Sequence, residues 1–251
     1  MIIDDWMPTF WNVLNVRENT LKEYKRLYKN NVAPFIGAKT FGEVTSVELQ
    51  TNVLKLSPQN ARHTLMLVKS LFREAIFYKI ADHNPTVGLR TQKITVNPRK
   101  FLTWDQINSL EWGKYSDQVK FMALHGLRWS EAVILSESDI HDEFVWVNRS
   151  CWGEVKSISS KRKIPYLGFF KPLPRSYKTF RKVVNQHGIS IHSLRRTYAY
   201  LLKTQGVHVT TAQRLMGHSD PMMTLKVYTS VLDEEIDSTG EKLRELIHRG
   251  K

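Results

Sequence analysis

Five apolar residues, Ala61, Leu65, Val68, Phe72 and Ile76, recur at steps of four, three, four and four. That spacing lays them on one face of a helix, and the face must be buried against other helices. Ser57-Pro58 supplies the start, with proline at the first helical position, where its missing N–H costs nothing. Asp82-His-Asn-Pro85 supplies the end. Other helix starts are marked by capping boxes, a Ser/Thr followed three residues later by Glu or Gln. These are Thr20-Leu-Lys-Glu23, Thr45-Ser-Val-Glu48 and Thr103-Trp-Asp-Gln106. Val32-Ala-Pro-Phe-Ile-Gly37 breaks the helical pattern. The pattern predicts a small four-helix bundle over about residues 3–92, with Thr95-Val-Asn-Pro-Arg-Lys100 as a linker.

Past the linker, helices are predicted to about Leu135. Phe144-Val-Trp-Val-Asn148 then opens a β-rich piece, with a turn at Gly153-Glu154 and an extended run Ile164-Pro-Tyr-Leu167. Helices return over roughly 176–186, 191–205, 210–216 and 221–232, stopped by Gly188, Gly206 and Gly217. The spacing of Leu243, Leu246 and Ile247 suits a terminal helix. The expected fold class is mainly α with a small antiparallel β-sheet.

Charge narrows the partners. Lys and Arg number 37 against 24 acids, a formal net charge of +13. Residues 1–95 carry 13 basic and 8 acidic side chains, so both halves of the chain are basic. Residues 149–182 hold ten Lys/Arg and one acid, Glu154, interleaved with Trp152, Tyr166, Phe169, Phe170, Tyr177 and Phe180. Such a field points to nucleic acid before an anionic membrane surface. No apolar run reaches 18 residues, which argues against a membrane span. The opening MIIDDWMPTF is too acidic for a secretory signal. A single cysteine, Cys151, excludes an intrachain disulfide and a Cys-rich zinc site and fits a reducing cytoplasm.

Four segments carry the chemistry. They are His125-Gly-Leu-Arg128-Trp-Ser-Glu131, a basic hairpin with Lys156, Lys161, Arg162 and Lys163, Ile191-His192-Ser-Leu-Arg195-Arg196, and Leu215-Met-Gly-His218 running on to Tyr228. This set resembles the tyrosine recombinases, the phage-integrase family of site-specific DNA recombinases. That family has an Arg in a G-L-R-x-x-E box, a hairpin Lys, an H-x-x-R box, an L-G-H box and then a Tyr, in this order. The resemblance is strong over about residues 100–232. It implies a helical core-binding domain at 1–95, a linker at 96–100, an α+β catalytic domain at 101–232 and a C-terminal segment at 233–251 exchanged between protomers. The chain opens almost directly on the core-binding helices; many phage and transposon integrases carry an arm-binding domain ahead of them.

The resemblance assigns Arg128 and Arg195 as the phosphate clamp. A guanidinium is planar, permanently charged and forked to match two phosphate oxygens. His192 and Arg195 stand three apart and share a helix face. His192 can donate to the same phosphate or take a proton, and His218 follows Gly217 at a helix stop. Zinc is a poor alternative, because the two histidines lack compact ligand spacing. Tyr228 is the implied nucleophile; by spacing with Leu225 and Leu232 alone it reads as a core aromatic. Asp220-Pro221 is a good start for its helix. The general acid is expected eight residues before the strand proline, Pro165, where Ser157 stands instead. Lys156, one residue further, is the choice, with Lys161 and Lys163 as fallbacks. Glu131 braces an arginine, or is a surface helix residue. Lys161, Arg162, Lys163 and Arg196 are DNA-contact candidates.

The implied reaction is exchange of DNA strands through a 3′-phosphotyrosyl intermediate, needing neither cofactor nor metal. The implied partners are double-stranded recombination sites, three further copies of the chain on DNA, and accessory DNA-bending or directionality factors. Two other readings compete: a DNA-binding relative without catalysis, against which the intact residue set argues, and a type IB topoisomerase-like relaxing enzyme.

Overall fold

The computed structural model describes residues 1–94, 100–154 and 161–228. The chain forms two compact units, Met1–Asn97 and Pro98–Lys251. In the first, α1 (Ile3–Val13), α2 (Glu18–Asn31), α3 (Ser46–Leu54) and α4 (Pro58–Phe77) surround an aromatic core. The α4 face buries Ala61, Leu65, Val68 and Phe72, as the spacing predicts, while Ile76 is only half-buried. Phe41 stands edge-on to both Trp6 and Phe72, with centroids 5.6 and 5.3 Å away. Edge-to-face pairs add to simple area burial. The break at 32–37 is a short π-helical turn, Ala33–Gly37. At Thr45 the expected cap forms, its hydroxyl accepting from the Glu48 amide. The Thr20 box does not form. The helix begins at Glu18, which pairs with Lys22 one turn on, while Glu23 pairs with Arg26. An acid in the first turn and an i,i+4 pair extend the helix past the expected start.

The second unit starts with α5 (Trp104–Ser109), whose Thr103–Gln106 capping box is complete. Next come α6 (Ser116–His125) and the single turn α7 (Trp129–Ala132). Strand β1 (Phe144–Val147) pairs antiparallel with β4 (Arg162–Pro165), matching Val145 to Ile164 and Val147 to Arg162. Val145 and Ile164 are fully buried. Between them, β2 (Arg149–Ser150) and β3 (Gly153–Glu154) form a separate two-stranded piece. The reversal therefore sits at Cys151-Trp152, two residues ahead of the expected turn, with Ser150 Oγ accepting from the Trp152 amide. Helices α8 (Tyr177–Asn185), α9 (Ile191–Thr204), α10 (Val209–Met216) and α11 (Pro221–Tyr228) follow. The core lies where α9 packs on α6, with α10 packed on β4. Gly188, Gly206 and Gly217 end α8, α9 and α10 in the left-handed region. The expected terminal helix in the tail, 233–251, lies outside the described residues.

Candidate active site

The H-G-L-R box is built on the end of α6. Gly126 caps the helix at φ 58°, and the ring of Tyr198 on α9 occupies the space a Cβ would need. Only glycine meets both demands. His125 is fully buried, its Nδ1 2.7 Å from the Phe121 carbonyl, while its Nε2 accepts from the Leu167 amide at 2.9 Å. The amide donor on Nε2 leaves the proton on Nδ1. Burial pushes the ring down to about 4, so it is neutral and structural. Gly126→Ala should cost several kcal/mol, of the order of a severe core clash plus left-handed strain. Urea unfolding would show this as a lower midpoint; an unchanged midpoint would mean that Tyr198 moves aside without cost.

Arg128 caps α7. Its amide and its Nη1 both donate to Glu131, at 2.9 and 2.7 Å, and its Nη2 donates to the Gly217 carbonyl at 3.0 Å. About a third of the side chain remains exposed (35%). Glu131 is buried and also accepts from Nη1 and Nη2 of Arg162, at 3.2 and 3.0 Å. Glu131 is therefore no surface residue, and it is bonded to both arginines. Burial favours its neutral form, but the Arg162 and Arg128 guanidiniums outweigh it and hold the carboxyl down to about 2. Arg162, expected on the DNA, is instead buried in this ion pair, and its Nε donates to the Leu215 carbonyl at 2.7 Å. The strand period explains the difference. Arg162 and Ile164 alternate inward, while Lys163 points outward.

Arg195 is 1% exposed, one of the largest fully buried side chains. Its Nη1 donates to the Gly126 carbonyl at 2.6 Å and its Nη2 to the Met216 carbonyl. Burial, then the like charges of Arg128 and Arg162, push its pKa well below the ordinary arginine value; Glu131 and Tyr198 act oppositely. A guanidinium keeps its proton regardless, so the shift registers a strongly positive local potential. His192 is exposed at the start of α9 and contributes to that potential at His218. Arg196, the next position after Arg195, is half-buried.

His218 follows the α10 stop at Gly217 and is buried. Its Nδ1 shares a 2.8 Å hydrogen bond with the Thr224 hydroxyl on α11. Burial first, then Arg195, Arg128, Arg162 and His192, push it down to about 3, so it is neutral. Asp220 caps α11, accepting from the Met222 amide at 2.9 Å. Tyr228 closes that helix, one turn beyond Thr224; its side chain lies outside the described residues, as does Lys156. Lys161 and Lys163 are exposed, the latter 4.3 Å from the centroid of the Phe144 ring. With Trp146, Arg162, Gln213, Arg214, Leu215 and His218 they line a groove of about 590 Å³.

The structure thus brings Arg128, Glu131, Arg162, Arg195 and His218 together. Sequence reasoning missed the carbonyls of Gly126 and Gly217 and the hydroxyl of Thr224. The only sequence signal for the carbonyls was glycine at two helix stops.

The phage integrase family profile matches residues 174–235, which contain the H-x-x-R box, the L-G-H turn and Tyr228. A tyrosine recombinase of Pseudothermotoga lettingae is 25% identical over 241 residues, covering 81% of this chain and 84% of its own. Over residues 174–235 the chain is similar to the phage integrase family, and along most of its length to tyrosine recombinases. Alignments with curated relatives span from 18% to 94% of their length. The recombinase fold is shared with solved structures at 18% identity. One is the Tn1549 transposon integrase in complex with a circular intermediate DNA (TM-score 0.76, covering 96% of this chain and 99% of the other). Another is a lambda integrase tetramer bound to a Holliday junction (TM-score 0.74, covering 93% and 80%).

The protein should lose stability in acid in two stages. His125 and His218 have folded values below the ordinary 6.5, so the stability they favour is complete above pH 6.5 and is lost as pH falls toward 4 and 3. Glu131 is also depressed, from 4.5 to about 2, so its contribution is complete above pH 4.5 and fades below. Urea midpoints measured from pH 8 downward should begin to fall near pH 6.5. A plateau down to pH 4.5 would contradict the buried neutral histidines.

Proposed function

We propose that this recombinase is a site-specific DNA strand transferase in which Tyr228 attacks a scissile phosphate held by Arg128, Arg195 and His218. The observation that carries this reading is the charge balance of the buried site. Three guanidiniums, Arg128, Arg162 and Arg195, surround the single carboxylate of Glu131, and the described hydrogen bonds of Arg195 go to carbonyl oxygens. Buried excess charge is costly. A phosphodiester entering the site offsets it and also raises the depressed His218 pKa toward its ordinary value.

The two guanidiniums act on the non-bridging oxygens, whose charge grows in the pentacoordinate transition state. The same positive potential favours the tyrosinate, since a phenol has an ordinary pKa of about 10. The Tyr228 oxygen forms a bond to phosphorus, the bond to the 5′ oxygen breaks, and that oxygen takes a proton from Lys156. A 5′-hydroxyl of the partner strand then attacks the phosphotyrosine, releasing Tyr228. One phosphodiester replaces another, so no energy source enters. Residues 1–95 are the DNA-clamping domain, 96–100 the linker and 101–232 the catalytic domain. Four copies act together, with 233–251 exchanged between neighbours; the lambda tetramer on a Holliday junction supports this count. Accessory DNA-bending or directionality proteins are proposed partners, and the cytoplasm the site of action.

The test addresses Lys156. Replacing the scissile 5′ oxygen by sulfur creates a leaving group that needs no proton. Lys156→Ala should be nearly inactive on ordinary DNA and largely rescued on the 5′-thio substrate, whereas Lys161→Ala and Lys163→Ala weaken binding without rescue. Rescue of Lys161→Ala or Lys163→Ala alone would move the acid to that residue.

A further inference from the structure

We infer that Arg162 is a positioning residue for the strand-transfer reaction, tying the Arg128 clamp to the turn that carries His218. This rests on the proposed reaction at the same site, and the family boxes quoted above contain no such residue. Arg162 reaches two places at once. Its Nη1 and Nη2 hold both oxygens of Glu131, the carboxylate that fixes the Arg128 guanidinium and amide. Its Nε holds the Leu215 carbonyl, three residues before His218. Arg128 Nη2 closes the loop on the Gly217 carbonyl in the same turn. The two sides of the site, α7 and the α10–α11 turn, are thereby cross-braced through a strand residue that is itself 6% exposed.

The backbone above Arg162 is shaped to it. A Cβ on Gly217 would lie 2.8 Å from Arg162 Nη1 and 3.1 Å from its Cδ. Gly217 also has φ 61°, so that glycine serves both the turn and the guanidinium beneath it. Glu131 accepts four hydrogen bonds, two from each arginine, which leaves little angular freedom to Arg128. Only a planar fork with a third N–H behind it can bridge a carboxylate and a carbonyl together; a lysine ammonium offers one charged point. Residues that orient a reacting group through another side chain typically carry 10- to 100-fold in activity.

The experiment begins by selecting, from a random duplex library, DNA that the wild-type chain traps as a covalent adduct. If no adduct forms with any DNA, the strand-transfer reading fails, and the present inference falls with it. Given a trapped substrate, Arg162→Lys is compared with wild type at saturating DNA. The expected result is a rate constant for adduct formation lowered about 10- to 100-fold, with DNA affinity within about threefold and the final adduct amplitude kept. A merely structural role would lower the amplitude, the fraction of competent molecules, and leave the rate constant alone. Glu131→Gln is the second variant, should Arg162→Lys not fold. It keeps the shape of the carboxylate and should slow the same step. The double variant should be little slower than either single one, because both break one linkage. An unchanged rate constant in a folded variant, or losses that multiply in the double variant, would overturn the assignment.

Discussion

Tyr228→Phe should abolish covalent DNA adduct formation while leaving DNA binding intact. The substitution removes one oxygen and leaves the ring, so the helix that carries it keeps its packing volume. Without that oxygen no phosphorus–tyrosine bond can form, and the loss should be complete within detection rather than partial. The reasoning rests on helix register. His218 is bonded to Thr224 on α11, and position 228 is one turn further along the same helix. Denaturing gels with a nicked substrate, from which the cleaved strand escapes, read the result directly. An adduct formed by Tyr228→Phe would assign the nucleophile to another residue.

Arg195→Ala should lower cleavage by about 10²–10³-fold, the size expected for removing one preorganised donor to a charged transition state. Binding should weaken far less, because ground-state DNA makes many other phosphate contacts and gains little from a donor tuned to the transition state. Arg128→Ala should act in the same direction, with an added contribution from the Glu131 carboxylate left with one partner fewer. Arg195→Ala also leaves the Gly126 and Met216 carbonyls without the donor that now serves them. Some loss of stability is therefore expected, and cleavage must be measured per folded molecule. Equal losses of binding and cleavage would reduce Arg195 to an ordinary backbone contact.

Much of this architecture was legible because local signals agreed with packing. The α4 face and the Thr103–Gln106 box each rest on local spacing that the sequence spells out. Where two local signals compete, the reading slipped: at Thr20 the Glu18–Lys22 pair and the first-turn acid shifted the helix start. Arg128, Arg195 and Glu131 were legible as charge and order, yet their environment was not. Nothing in Lys161-Arg162-Lys163 says which of three adjacent cations faces inward. Strand alternation decides it, and strand phase follows from the pairing of Val147 with Arg162 across β1 and β4. Likewise, the backbone carbonyls of Gly126, Met216 and Gly217 became arginine acceptors through long-range packing, to which residue type is blind.

The central claim is that this site forms a bond between Tyr228 and a DNA 3′ phosphate. Tandem mass spectrometry of the trapped adduct, after nuclease and protease digestion, measures that bond. The account predicts one modified peptide, with the residual nucleotide joined through its 3′ phosphate to the Tyr228 oxygen. A nucleotide on any other side chain, or joined through a 5′ phosphate, would contradict it.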